Sequence, residues 1–559
     1  MKQTIFEISF ECGNNVGGIH TVITSKSEEM KKRFGRNYTT IGFFNPEQSP
    51  KEISQKTPPK YLKDVFSKLK KYNIDCIYGK WEEASDVPII LLDVRNAKFD
   101  VNDLKFKYWD WYEIDSLNAN NDFDEPLLWG YCVGKLLKEI HKKRKNIICH
   151  FHEWLSGPAL LYLKKMKLKI PTVFTTHATV LGRTLSSYKN VPEMVNKIKE
   201  KPIKDDVAYE NKIESKHLLE KKTAINADVL TTVSKTTAEE VSAFFGLKPD
   251  VITCNAIDKS EIPNKSKLKK ENKSYRKRID DFLLAYFSPH YPLNIKDYPI
   301  FYTAGRYEFL NKGYDLFIDA LGKLDKKLSK TDKTVVAFIF VPAGTTGIKQ
   351  DAIDKIKVYS EIKKILKPNW KEISKKLQKK STLGKIIEEY SSSKQLTNLQ
   401  DKINKIKRMN KSSPSLCPFE FKMKNSEEND EILNALKENN LLNKKENKVK
   451  VIFYPIYLNR EDGLLGLDYK EALTAGTMGA FLSRYEPWGY TPMEAAAYNS
   501  MAVTTDYAGF GRFVLKNEDN KNGIFVVRLM NESKKKAVED IANIFENVVN
   551  APKSKRLKK

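Results

Sequence analysis

Apolar residues along the chain follow two alternating periods. Short runs such as TIFEISF, NIICHFH, PTVFTTH, DVLTTVS, FYTAGR, VVAFIFVP, KVKVIFYP, GAFLS and AVTTD read as buried strands. Between them lie stretches with apolar residues at helical spacing, EPLLWGYCVGKLLKEI among them. Strand then helix, repeated, is the signature of parallel sheets covered by helices on both faces. One such series ends before about residue 260 and a second starts at about residue 298. The expected fold class is α/β, with two Rossmann-like doubly wound domains facing a cleft. The expected domains are 1–285 and 286–559, the charged, weakly patterned stretch PNKSKLKKENKSYRKR lying between the two series. A lysine-rich helical insertion, about 346–450, interrupts the second domain, and the chain ends in the basic tail KSKRLKK.

In such sheets ligands gather at the carboxyl ends of strands, so the polar residues there are the candidates for chemistry. HFHEW puts His150, His152 and Glu153 at one strand end, and FTTHATVLGR puts His177 and Arg183 at another. These ends either converge on one site or hold structural hydrogen bonds. A metal is the rival, but no HxxxH or HExxH spacing supports it. Gly17 and Gly18 follow the first strand and precede a helix, where backbone amides can approach an anion. In AGRYEFLNKGYDLF, Arg306 follows a strand and Lys312 precedes Gly313 and a helix, a pairing suited to a diphosphate.

YEPWGYTPMEAAAYNS places two carboxylates, Glu486 and Glu494, on either side of a helix break. Pro487 and Gly489 keep Glu486 out of a helix. Thr491-Pro492-Met493-Glu494 reads as a helix start closed by a capping box, with the amides of Gly489, Tyr490 and Thr491 at its positive end. Asp122-Phe123-Asp124 has the spacing of a metal-binding Asp-x-Asp, but it follows NANN and precedes a helix, so helix capping is its expected role.

Composition narrows the class. At 559 residues and 41% hydrophobic, the chain has the material for two or three folded domains. No apolar run reaches the roughly 20 residues of a membrane helix, and the N-terminal stretch is not a signal peptide. Six scattered cysteines without CxxC or Cys/His spacing point to a reduced, cytoplasmic, metal-free protein. The formal charge of +26 raises nucleic acid as a partner. Much of it, however, lies between Lys349 and Lys450, where lysines alternate with helically spaced apolar residues and no nucleic-acid motif accompanies them. A solvated helix face is expected there, and neither nucleic acid nor membrane is expected as a partner.

Taken together and in order, YEPWGYTPMEA, FHEW, FTTHATVLGR, AGRYEFLNKG, DVLTTVS, KVKVIFYP and the GFG of DYAGFGRF make the chain resemble glycogen synthases of the animal and fungal type, from about Phe6 to about Val549. The resemblance implies a GT-B fold and retaining transfer of glucose from UDP-glucose to the 4-hydroxyl end of glycogen or a maltooligosaccharide, with no metal or other cofactor. It makes the first domain the acceptor side and the second the donor side. It also implies a tetramer built through helices at the position of the insertion. Glu486 and Glu494 match the family's paired glutamates, and Arg306 and Lys312 its diphosphate pair. His177 and Arg183 match residues at the donor sugar and phosphates, and Glu153 and Asn255 match positions near the glucose. Tyr469 matches an aromatic that stacks on uracil, and Tyr457 stands where the family has phenylalanine. Same-face attack, with the leaving phosphate taking the acceptor's proton, leaves Glu486 to stabilise the electron-poor sugar or orient its hydroxyls rather than form a covalent bond. Glu494 holds a sugar hydroxyl, keeps the loop in place, or does both.

Departures from the family pattern change some expectations. Cys254-Asn255-Ala256 replaces the family's Pro-Asn-Gly. The chain starts near its first strand and ends at VVNAPKSKRLKK, where the family has a helix whose arginines sense glucose 6-phosphate. Control by phosphorylation or by that metabolite is therefore not expected. The alternatives are another retaining transferase on this fold using ADP-glucose, a phosphorylase, and a non-enzymatic scaffold that binds glucan or RNA.

Overall fold

The structure, a computed structural model, describes residues 3–15, 17–198, 202–378, 381–390, 394–409, 413–422, 427–516 and 523–552. The tail KSKRLKK and short stretches of the insertion lie outside the described residues. The chain forms two compact units, Met1–Lys259 with Tyr485–Trp488, and Ser260–Arg484 with Gly489–Lys559.

The first unit is built on nine strands, because the apolar runs need burial on both faces. They are β1 (Thr4–Ile8), β2 (Tyr38–Phe43), β3 (Ile53–Gln55), β4 (Asp75–Trp81), β5 (Val87–Asp93), β6 (Ile147–His152), β7 (Thr172–Thr176), β8 (Val229–Thr232) and β9 (Val251–Ile252). Their order is β3-β4-β5-β2-β1-β6-β7-β8-β9. All pairs are parallel except β3–β4 and β4–β5. The parallel strands β2 and β5 run outward from β1 on one side and β7, β8 and β9 from β6 on the other, so the carboxyl ends of β1 and β6 form the topological switch point. The register sets Glu7 opposite His150 across that pair.

The second unit carries a six-stranded sheet of β10 (Ile300–Ala304), β11 (Val335–Phe340), β14 (Val449–Phe453), β15 (Met478–Ala480), β16 (Met501–Thr505) and β17 (Ile524–Val527). Its order is β14-β11-β10-β15-β16-β17, parallel throughout. Two short strands, β12 (Thr345–Ile348) and β13 (Phe419–Phe421), pair antiparallel at the root of the insertion. The insertion helices bury Val358, Tyr359, Ile362, Ile373, Leu377, Ile386 and Ile387 in this unit's core. The lysines of Gln350–Ile365 remain outside except Lys355, which is fully buried, paired with Asp351 at 3.1 Å and set over the Tyr286 ring.

The expected boundary at residue 285 moves. PNKSKLKKENKSYRKR opens the 23-residue helix Lys265–Phe287, capped by Asn264, whose side chain accepts from the Lys267 amide at 2.9 Å. Its Leu268, Ile279, Phe282, Leu283 and Phe287 are buried in the core of the second unit, so the helix belongs there. The lysines and arginines mask an apolar stripe whose period becomes plain only towards Phe287. No helix among the described residues is long and apolar enough to cross a membrane. None of the six cysteines is joined in a disulfide.

Candidate functional site

At the switch point of the first unit lies a chain of buried polar groups. Glu7 of β1 is fully buried. Its Oε1 accepts from His152 Nε2 at 2.6 Å and pairs with the Lys26 ammonium, while Oε2 accepts from the Tyr38 hydroxyl. Burial alone would raise its pKa, but Lys26 and His152 overcome this and hold the carboxyl well below its usual range. His152 Nδ1 lies 2.8 Å from His177 Nε2. Burial depresses both imidazoles, His152 to about 4 and His177 to about 3. His150 points its Nε2 at the Thr175 hydroxyl, 2.7 Å away.

Glu153 holds the backbone beyond β7. Its Oε1 accepts from the amides of His177 and Ala178, each at 3.0 Å. Its φ of +63° is rare for a residue with a side chain, and such strain concentrates at functional positions. Burial raises its carboxyl to about 7 despite Arg183 and these amides. Arg183 lies on the short helix Val180–Leu185, whose cap Thr179 accepts from the Gly182 amide at 3.0 Å. Desolvation opposes its charge, but Glu153, Tyr485, Glu486 and Glu220 together raise its pKa. Glu486 thus shares the electrostatic surroundings of Arg183 within this unit. Tyr485 anchors that segment: its ring is buried in the first unit's core and its hydroxyl donates to Glu240 Oε2 at 3.1 Å. Glu240 also accepts from Thr179 at 2.6 Å, and burial lifts it to about 7.

The glycine loop differs from expectation. Glu11 Oε2 accepts from the His20 amide at 2.9 Å, and a Cβ at Gly17 would meet Glu11 Oε1 at 2.6 Å. A side-chain carboxylate therefore occupies the start of the helix Gly18–Phe34 where an external anion was expected. The two aspartates of Asp122-Phe123-Asp124 sit in the first turn of Asn121–Lys143, with Asn120 as cap. There they pair with Lys216 and, at 2.8 Å, with Lys105.

In the second unit, β10 runs into Gly305 and Arg306. The Arg306 side chain is 71% exposed and pairs with Glu308 at 2.9 Å. The stem of Lys312 comes within 3.9 Å of where a Gly305 Cβ would stand, so guanidinium and ammonium rise from one loop. Gly313, at φ +69°, turns that loop into the helix Tyr314–Leu328. Arg484 braces it through two hydrogen bonds of 2.7 Å to Asp315 and through its amide to the Asn311 carbonyl.

The helix after the break is Tyr490–Ala497, two residues earlier than expected, and its cap is Gly489 at φ +100°. No capping box forms. Thr491 is already helical, and the cap residue Gly489 has no side chain to bond the first amides at the helix's positive end. Glu494 instead accepts from the Tyr469 hydroxyl at 3.0 Å, and burial raises its pKa. Tyr469 is the first residue of the helix Tyr469–Ala475, which has a complete Asp468/Glu471 capping box. Tyr457 is 81% exposed. Asn255 is partly exposed in the loop after β9.

Among the described residues, two clusters bring three candidate metal ligands within 4.8 Å of one another: Glu7, His150, His152 and His20, Glu52, Glu83. In the first, the Lys26 ammonium already neutralises Glu7. In the second, Glu52 accepts from Trp81 Nε1 at 3.2 Å and the Asn15 amide at 2.7 Å. The sequence reading missed Glu7, Lys26, Tyr38, Glu220 and Glu240. A glutamate inside the apolar run TIFEI was a usable signal for the first; the others carry none.

The family model described as glycogen synthase matches residues 7–559. The chain is 32% identical to a glycogen [starch] synthase of Neurospora crassa, over 97% of this chain and 77% of that one. It is 30% identical to isoform 1 of the Saccharomyces cerevisiae enzyme, over 100% and 82%. Among solved structures, the catalytic domain of starch synthase IV from Arabidopsis thaliana, bound to ADP and acarbose, has a TM-score of 0.52 at 13% identity. It covers 100% of this chain and 94% of its own. That likeness assigns the GT-B fold.

Proposed function

The chain belongs to the glycogen synthase family and is a glycosyltransferase acting on a nucleotide sugar and a glucan; from this premise we propose that it transfers glucose from UDP-glucose, with retention, to the non-reducing 4-hydroxyl end, releasing UDP. The observation that carries this reading is the cationic loop of Arg306 and Lys312 beside Gly305. Cleavage of the glucose–phosphate bond builds charge on the departing diphosphate, and fixed donors stabilise it most as it forms. Arg306 and Lys312 fill that role, together with the amides of Gly489, Tyr490 and Thr491 at the start of the helix Tyr490–Ala497. The reaction then needs no metal.

On the sugar, positive charge develops at the anomeric centre. Glu486 stabilises it or orients the hydroxyls, and its charge is one of those that favour the Arg183 guanidinium. The leaving phosphate takes the acceptor proton, so no covalent sugar–enzyme bond is required. His177, Glu153 and Asn255 bind the glucose. Tyr469 supports the base and holds Glu494 by a hydrogen bond.

The test is product analysis after incubation with UDP-glucose and a maltooligosaccharide, with and without a chelator. Lengthened α-1,4 chains, formed equally in both, support the reading. Faster transfer from ADP-glucose, or activity abolished by the chelator, overturns it.

A further inference from the structure

His177 lies at the end of a hydrogen-bonded chain whose proton positions follow from chemistry alone. Glu7 is buried against the Lys26 ammonium, so it is ionised and can only accept. His152 Nε2, 2.6 Å away, must therefore carry the proton of that bond. A neutral imidazole carries one proton, which leaves His152 Nδ1 bare. The 2.8 Å contact from His152 Nδ1 to His177 Nε2 then requires a proton on His177 Nε2. His177 Nδ1 is consequently bare as well. Burial keeps both rings neutral at neutral pH.

The rest of His177 is held as firmly. Its amide donates to Glu153 at 3.0 Å, and its carbonyl accepts from the Thr237 hydroxyl at 3.5 Å. The residue keeps 8% exposure, and no described residue hydrogen-bonds its Nδ1.

We propose that Glu7 and His152 are positioning residues that lock His177 as its Nε2–H tautomer, leaving Nδ1 as a permanent hydrogen-bond acceptor for a hydroxyl of the donor sugar. Nδ1 cannot then donate a proton to a departing phosphate, so His177 acts by orienting the sugar and not as a general acid. Lys26 completes the device by keeping Glu7 charged. The sugar part of this inference rests on the function proposed above; the tautomer does not.

Two-bond nitrogen–proton correlation spectra of the full chain with ¹⁵N-labelled histidine read the tautomer directly. The chain has seven histidines, and the spectrum of His177→Asn assigns the one in question. Pyridine-type Nδ1 and pyrrole-type Nε2 are expected at His177, and the reverse overturns the proposal whether or not the protein transfers sugar. Adding UDP-glucose should shift the Nδ1 resonance while UDP alone leaves it in place. No shift with UDP-glucose removes the sugar-acceptor role.

Glu7→Gln combined with Lys26→Met keeps the local charge balanced but frees the chain to adopt either tautomer. Its kcat should fall about ten- to a hundredfold, with KM for UDP-glucose changed by less than about threefold and with partial protonation of Nδ1. Full turnover despite a changed tautomer, or lost turnover with the tautomer unchanged, overturns the assignment.

Discussion

The hydroxyl of Tyr469 donates to Glu494 at 3.0 Å, tying the first residue of one helix to the second turn of another. Glu494 is one of the paired glutamates, and this bond works against the burial that raises its pKa. Tyr469→Phe keeps the ring but loses the bond, and Tyr469→Leu loses both. A single hydrogen bond of this kind contributes about 1 kcal/mol. The phenylalanine variant should lose roughly fivefold in kcat with an unchanged KM, and the leucine variant should also raise KM for UDP-glucose. Steady-state kinetics on both variants separate the ring from the hydroxyl, and equal losses in the two would remove the ring's part in donor binding.

Arg306 and Lys312 rise from the same loop with the guanidinium exposed. Arg306→Ala should lower kcat/KM by about a hundredfold, the usual size of one lost transition-state charge contact. Arg306→Lys should recover little of this, because an ammonium cannot reproduce a two-pronged contact with phosphate oxygens. UDP binding by calorimetry should weaken in step. Wild-type affinity in Arg306→Ala would contradict the diphosphate role.

Gly313 allows the turn that delivers Lys312. At φ +69°, a Cβ there would stand 2.1 Å from the Leu482 carbonyl oxygen. Gly313→Ala should destabilise the second unit by about 2 kcal/mol or more, seen as a lower thermal midpoint together with weaker UDP binding. An unchanged midpoint would mean the turn is not held as described.

Stability should respond to pH through two opposed sets of groups. The folded chain holds His152 and His177 at about 4 and about 3, whereas an unfolded chain protonates histidine near 6.5. Their contribution is complete above about 6.5 and is lost as pH falls towards 3. Glu153 and Glu240 are raised to about 7 from an ordinary 4.5, so the stability they contribute is lost as pH rises from 4.5 to 7. Glu240→Gln removes one carboxyl of the second set. Relative to wild type, the variant should gain stability as pH rises from 5 to 8, by roughly 3 kcal/mol at most. Denaturant unfolding at the two pH values measures this, and a pH-independent difference would contradict it.

Much of the fold was legible because burial writes a local record. TIFEI, IICHFH and VVAFIF announce strands wherever they occur, and all three are strands in the sheets. The strand-end positions of His152, His177 and Arg306 followed from the same pattern. The helix start after Glu486 did not. Thr491-x-x-Glu494 satisfies the local rule for a capping box, but Gly489 turns the chain two residues earlier and Tyr469 claims the glutamate. A local motif loses when a partner distant in sequence offers a better-placed bond. The helix Lys265–Phe287 was hidden for the opposite reason: its first turns are mostly charged, and its apolar face shows only against the core it joins.

By itself the sequence determined that the chain builds two mainly parallel, doubly wound sheets, since alternation of apolar strand and amphipathic helix leaves few other ways to bury those faces. Tertiary structure alone decided which polar groups meet. Glu7 and His152 are 145 residues apart and bond because β1 and β6 are neighbours in register, and His177 joins them because β7 lies beside β6. Strand order is a property of the whole sheet, and no stretch of sequence shorter than the unit carries it.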